Sequence, residues 1–384
     1  MIYLDNSATS HPKPPEVIQA MNDYMINVCA NSGRSGHRLA ISASRIIYNA
    51  REELAKLFNI DDPLQIVWTL NATESINIAL QGILKPDDHV ITSGMEHNSV
   101  MRPLRALEKL GVHITVVKCS QNGEIDPSDI ESAINKRTKM IAINHASNVI
   151  GTVQPAEEIG HIAKEYGLIF MLDTAQSAGA YTIDVQKLNA DLLAFTGHKS
   201  LYGPVGTGGL YIRDGIDLKP LKYGGTGSRS EEEYQPDFLP DKFESGTLNI
   251  VGIAGLGAGV RYVMNKGIEN IRKEECKLTQ KLIDGLSCIP KVKVYGDLDA
   301  EKRVGVVSFN IEGLSPSEVA LYLEERFDIL CRASLHCAPS AHKTIGTFPD
   351  GTVRLSLGIF NTDDDVNFVI DAVRKIAEDE GHGL

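Results

Sequence analysis

The chain has 384 residues, 42% hydrophobic and 23% charged, enough for one large core and a smaller second one, since single cores stop growing near ~250–300 residues. A formal net charge of −12 excludes sequence-independent nucleic-acid binding, which needs concentrated Lys and Arg. No apolar run approaches the ~20 residues that span a bilayer, so no membrane partner is expected.

The opening stretch, "MIYLDNSATSHPKPPEV", lacks a basic leader and a signal-type apolar core, and export is not expected. Short apolar runs then alternate with longer amphipathic ones. Strands are expected at 66–70, 89–92, 113–117, 140–144, 169–173, 192–195 and 209–212, and helices at 75–84, 99–110, 127–135 and 156–166. This alternation predicts an α/β domain with a mainly parallel seven-stranded sheet, covered by helices on both faces. The segment 223–249, rich in Gly, Pro and charge, reads as a long loop, a length that is unusual unless functional.

A long helical pattern follows from Val260 to Leu286. Next come a strand at 303–311 and a helix announced by Ser315-Pro316-Ser317-Glu318, with capping-box spacing and proline in the first turn. A strand at 352–360 precedes a helix opened by Thr362 with acidic residues in its first turn. The expected division is a large domain over 15–258 and a smaller α+β domain made of 1–14 and 259–384. Cys29, Cys119, Cys276, Cys288, Cys331 and Cys337 are scattered without a C-x-x-C pair, which predicts reduced thiols and a cytoplasmic protein.

In an open parallel sheet, ligands bind beyond the carboxyl ends of the strands. Those ends deliver Thr73, His97, Asn148, Asp173 with Gln176, and Thr196 with His198 and Lys199. Each has a plainer reading. Thr73 with Glu74 fits a helix cap as well as an anion site. His97 fits a satisfied loop histidine, and Asn148 before Gly151 fits turn chemistry. Lys199 fits a solvated loop lysine, although "SLYGPVGTGG" constrains the chain around it. Asp173 ends a buried strand and needs a positive partner. Pyridoxal 5'-phosphate uses all of them together: a lysine amine for its Schiff base, a carboxylate for its pyridinium nitrogen, and an anion site. On that reading the cation facing Asp173 is the cofactor ring.

With these residues in place, the chain resembles the class V aminotransferase-like enzymes of PLP-dependent fold type I, and among them the cysteine desulfurases. The likeness runs through "YLDNSATSHPKP", "NATESIN", "EHNSV", "SNVIGT", "DTAQSAG", "TGHKSLYGPVGTGGLY", "GGTGS", "ESGTLN", "RASLHCAP" and "VRLSLGIFNT". "SNVIGT", "HKSLYGP" and "RASLHCA" look more like the second desulfurase group, which also contains selenocysteine lyases. The resemblance implies that Lys199 anchors the cofactor and moves the substrate's Cα proton, while His97 stacks on the ring. It implies Asp173 at the pyridine nitrogen, Gln176 at the phenolic oxygen, and Thr73, Thr196 and His198 at the phosphate. Thr247 is implied to reach in from the partner subunit of a homodimer. Arg354 is implied to grip the substrate carboxylate, a task that suits its planar fork. Asn148 is implied beside cofactor and substrate.

Cys337 separates the possible activities, because an aminotransferase needs no thiol. Arg332, His336, His342 and Lys343 surround it in sequence and would favour a thiolate. An inert buried cysteine is the plainer reading, and a metal held by His336, Cys337 and His342 is a third; no metal is expected. Ser334 stands where the family usually has glycine, and Leu248 where it often has proline. The implied function is conversion of L-cysteine to L-alanine, with sulfur carried as a Cys337 persulfide to an acceptor protein in iron–sulfur cluster or thio-cofactor synthesis. Alternatives are a selenocysteine lyase acting on L-selenocysteine, a cyst(e)ine C–S lyase or aminotransferase on the same scaffold, and a non-enzymatic sulfur- or metal-carrying protein.

Overall fold

The computed structural model describes residues 1–33, 36–229 and 231–379. Its centre is a seven-stranded sheet in the order Ile66–Thr69, Gly208–Ile212, Leu192–Thr196, Ile169–Asp173, Thr138–Asn144, His89–Ser93 and His113–Val117. Gly208–Ile212 runs antiparallel to both neighbours, and every other pairing is parallel. All seven expected strands form. Leu192–Thr196 is buried along its whole length, as a central strand covered on both faces must be. The parallel register sets Asn144 beside Asp173 and Asp173 beside Ala194. Three adjacent strands therefore end at one level, where side chains leave the sheet together.

Two helices that the sequence pattern had not singled out, Pro15–Asn27 and Arg38–Phe58, precede the first long strand and pack against Ile250–Lys266. The continuous helix expected over 260–286 is instead two, Ile250–Lys266 and Ile268–Ser287. Gly267 separates them at φ 81°, a conformation open to glycine but costly for other residues. Apolar periodicity continues through the break because both helices bury a face.

The second sheet is antiparallel throughout, in the order Arg332–Ser334, Thr352–Ser356, Val306–Ile311 and Val292–Tyr295. The capping box at Ser315 forms as expected and opens helix Pro316–Phe327. The N-terminal strand Ile2–Tyr3 pairs in parallel with Ile329–Leu330, and Asp5 bridges to Ser356. From there the chain crosses to the large sheet as a strap over residues 5–13. The described part of 223–249 contains no helix or strand. It is anchored by Glu244, which binds the buried Arg51 guanidinium and accepts the Trp68 amide at 2.7 Å.

Candidate active site

A cavity of about 310 Å³ opens where the carboxyl ends of the large sheet face the second sheet. Thr73, His97, Asn148, Asp173, Gln176, Thr196, His198, Lys199, Cys337 and Arg354 all line it. Thr247 does not: it is exposed on the 223–249 loop and borders a separate cleft with Arg51 and Glu244. Ser7, Asn71, Asn144, Arg332 and His336 also face the main cavity without having been assigned to it from sequence. Asn71 and Ser7 lie inside motifs already noted, and their polarity beside a strand end or a strap was the available signal.

Asp173 closes its strand at 5% exposure, with Oδ1 accepting the Ala175 amide at 2.9 Å. Burial pushes its carboxyl above the usual range, opposed by that amide and by the Lys199 charge. Burial lowers the Lys199 amine to about 8, while Asp173 pulls the other way and Arg354 and Arg332 add to the lowering. A low-dielectric cavity thus holds one acid and one amine, each displaced toward its neutral form. The Lys199 turn leaves the sheet through a tight loop in which Gly203 donates to the Gly197 carbonyl at 2.8 Å.

In the Thr73 region the helix cap is made by Asn71 and Glu74 rather than by Thr73. Asn71 caps helix Ala72–Ile83 by accepting the Glu74 amide at 3.0 Å, and Glu74 returns its carboxylate to the Leu70 amide at 2.6 Å. This leaves Thr73 and the start of the helix facing the cavity, where free N–H groups favour an anion. Across from it, Thr196 Oγ1 and His198 Nδ1 are buried without a hydrogen-bond partner among the described residues. Asn148 Oδ1 and Arg354 Nε are buried and unpartnered as well. Buried polar atoms are rarely left unpaired, so this group fits a polar ligand with an anionic end. Together with an acid and an amine in the same cavity, these residues fit pyridoxal phosphate.

Arg354, 2% exposed, is held by Asp5 at 2.7 Å and by the Asn148 carbonyl at 2.9 Å. Asn148 in turn donates Nδ2 to the His336 carbonyl at 2.7 Å. His97 caps helix Asn98–Glu108 through Nδ1, which accepts the Ser99 amide at 3.0 Å, so the cap and cavity roles coexist. Burial, reinforced by Lys199 and Arg332, lowers its ring to about 4, and it is neutral at physiological pH.

Cys337 is exposed and lies in the short turn between Arg332–Ser334 and helix Pro339–Ile345. Ser334, His336 and Cys337 have φ of 91°, 47° and 59°, a concentration of left-handed backbone of the kind found where a side chain must be aimed. The Cys337 carbonyl accepts the Asn98 amide at 2.9 Å, and His336 Nε2 meets the Thr352 carbonyl at 3.1 Å. Arg332 Nη2 stands 4.0 Å from Cys337 Sγ. The other three basic neighbours do not act as the sequence suggested. Burial lowers His336 to about 2 and His342 to about 4, so both are neutral, and Lys343 lies over the Phe348 ring at 5.0 Å. The cations that face the thiol are therefore Arg332 and Arg354. His342 Nδ1 is spent on Thr347 Oγ1 at 2.7 Å, and among the described residues no three His, Cys, Asp or Glu side chains gather to hold a metal.

The chain is similar to known proteins along nearly its whole length. The class V aminotransferase family profile matches residues 2–369. A probable cysteine desulfurase of Methanothermobacter thermautotrophicus is 38% identical over 382 residues, covering 98% of this chain and 94% of the relative. A cysteine desulfurase of Haloferax volcanii is 33% identical over 98% of this chain and 90% of its own length. The apo structure of a cysteine desulfurase from Thermococcus onnurineus superposes with a TM-score of 0.93 at 37% identity, covering 98% of this chain and 95% of that one. An Escherichia coli cysteine desulfurase in an S-sulfonic acid form gives 0.86 at 29% identity, covering 98% and 94%. From profile, relatives and fold alike, the chain belongs to the class V aminotransferase family and groups there with the cysteine desulfurases.

Proposed function

We propose that this protein is a cysteine desulfurase that uses pyridoxal phosphate, converts L-cysteine to L-alanine and carries the released sulfur on Cys337. The observation that carries the reading is an exposed thiol at the mouth of the cavity lined by Asp173, Lys199 and Arg354. When bound, the cofactor supplies electron withdrawal from the substrate's Cα and Cβ. Thr73, Thr196 and His198 hold its phosphate, Asp173 its ring nitrogen, Gln176 its phenolic oxygen, and neutral His97 its ring face. Arg354 receives the substrate carboxylate, which supplies the partner its buried Nε lacks. Asn148 orients Arg354 through its carbonyl. Lys199 moves the Cα proton, a task suited to an amine lowered to about 8.

Cys337 then takes the sulfur, with Arg332 Nη2 standing 4.0 Å from its Sγ. A bond forms between the two sulfurs, the substrate's Cβ–S bond breaks with its electron pair left on carbon, and Cβ gains a proton. The products are a Cys337 persulfide and alanine. Exposure of Cys337 supports onward transfer to an acceptor protein, in iron–sulfur cluster or thio-cofactor synthesis. The exposed position of Thr247 supports a homodimer in which it enters the partner's cavity. Six free thiols support a reducing, cytoplasmic setting, and among the described residues no helix is long and apolar enough to cross a membrane.

The test is incubation with L-cysteine, followed by alanine quantitation and mass spectrometry of the Cys337 peptide. Wild type should release alanine and gain one sulfur atom on Cys337. Cys337→Ser should keep the cofactor's absorbance and lose both products. Undiminished alanine release by that variant would remove Cys337 from the reaction.

A further inference from the structure

The strap over residues 5–13 lines the cavity through Ser7 and Ala8, and its two ends grip residues that line it. At one end Asp5 pairs with Arg354. In the middle the Ser7 carbonyl accepts Gln176 Nε2 at 3.2 Å. At the other end the strap converges on the His198–Lys199 peptide. The His198 carbonyl faces Thr9 Oγ1 at 3.1 Å, the Ser10 amide at 3.0 Å, Ser10 Oγ at 3.2 Å and Lys13 Nζ at 2.9 Å. The Lys199 carbonyl faces Ser10 Oγ at 2.9 Å. The sheet cannot hold this peptide, because its ladder ends at the Thr196–Gly208 pair.

Lys13 organises the cluster. Besides the His198 carbonyl, its ammonium donates to Ser10 Oγ at 2.8 Å. A hydroxyl has one hydrogen; when its oxygen accepts from an ammonium, that hydrogen turns away from the cation. Here the Lys199 carbonyl at 2.9 Å is its nearer acceptor and the His198 carbonyl at 3.2 Å the farther one. Burial lowers the Lys13 amine to about 8, so a charge is kept in this place at a cost. We infer that Lys13 is a positioning residue that fixes the Lys199-bearing turn through the His198 carbonyl and the Ser10 hydroxyl. The strap is then part of the active-site framework. Its catalytic consequence rests on the proposed role of Lys199, whereas its effect on the turn does not.

The test compares wild type, Lys13→Met and Lys13→Arg as purified full-length protein. Hydrogen–deuterium exchange over 197–203 should quicken about tenfold or more in Lys13→Met, the scale expected for a lost charge-assisted bond, with exchange over 319–327 unchanged. Its kcat for alanine release from L-cysteine should fall about tenfold, with KM within about threefold, as expected for a misplaced reacting group. Lys13→Arg, which keeps a charged donor, should restore both. Ser10→Ala should reproduce the local quickening if Lys13→Met cannot be purified. Exchange and kcat like wild type in Lys13→Met, or quickening spread evenly over the chain, overturns the inference. If borohydride fixes no pyridoxyl group on Lys199 of the wild type, the proposed function falls, and exchange over 197–203 still decides the role of Lys13.

Discussion

Lys199→Met should make the cofactor-free protein more stable at neutral pH, although it removes the residue on which the proposed chemistry depends. An ordinary lysine titrates near 10.5, and burial in the cavity lowers Lys199 to about 8. At pH 7 both folded and unfolded chains carry the proton, but the folded chain holds the charge in a poorly solvated place. At about 1.4 kcal/mol per pKa unit, the penalty is about 3 kcal/mol. That value already includes the pull of the Asp173 charge toward the ammonium, so a net gain of about 3 kcal/mol at pH 7 is expected. The sign fixes the pH dependence. Between about 8 and about 10.5 the unfolded wild type binds more protons than the folded one, so wild-type stability rises across that window. The advantage of the variant should shrink over the same window and vanish above it. Urea unfolding of both proteins, stripped of cofactor, at pH 7 and above pH 10.5 measures the difference. A variant less stable than wild type at pH 7, or a gain independent of pH, would refute the electrostatic account of the cavity.

Gly351 has φ 86°, and a Cβ built there would lie 2.3 Å from the backbone of Ser334. Gly351→Ala should therefore cost about 3 kcal/mol from backbone strain and overpacking together, and disturb the Cys337 turn, read as a lower melting temperature and altered thiol alkylation at Cys337; a loss under about 0.5 kcal/mol would contradict the close approach. Burial holds His97 and His198 at about 4 and His336 at about 2, all neutral well below physiological pH. The rate of alanine release should accordingly show no acid limb near 6.5, where an ordinary histidine titrates, and such a limb would return a charged histidine to the mechanism.

Alternating apolar runs announced the large sheet because strand and helix periods are local properties of a chain. Strand ends were legible for the same reason: Asp173 and Thr196 terminate their strands where the apolar runs stop. The Gly267 break was not legible, since apolar periodicity carries on through it and the turn depends on a φ that sequence does not display. The two early helices escaped notice beside stronger motifs. Arg332 was seen near Cys337, but its separation from the two neutral histidines was not. Charge state follows burial, and burial is a sum over atoms from distant segments.

The sequence by itself determined the α/β architecture, the polar residues at the strand ends and the family. Each of these is written in short windows of pattern and motif. Only the tertiary structure decided what meets across the cavity. Asp5 and Arg354 are 349 positions apart and pair at 2.7 Å, and Lys13 lies on a carbonyl 185 positions away. Such contacts are invisible in sequence because they exist only once two sheets and a strap have packed, and packing is a property of the whole chain.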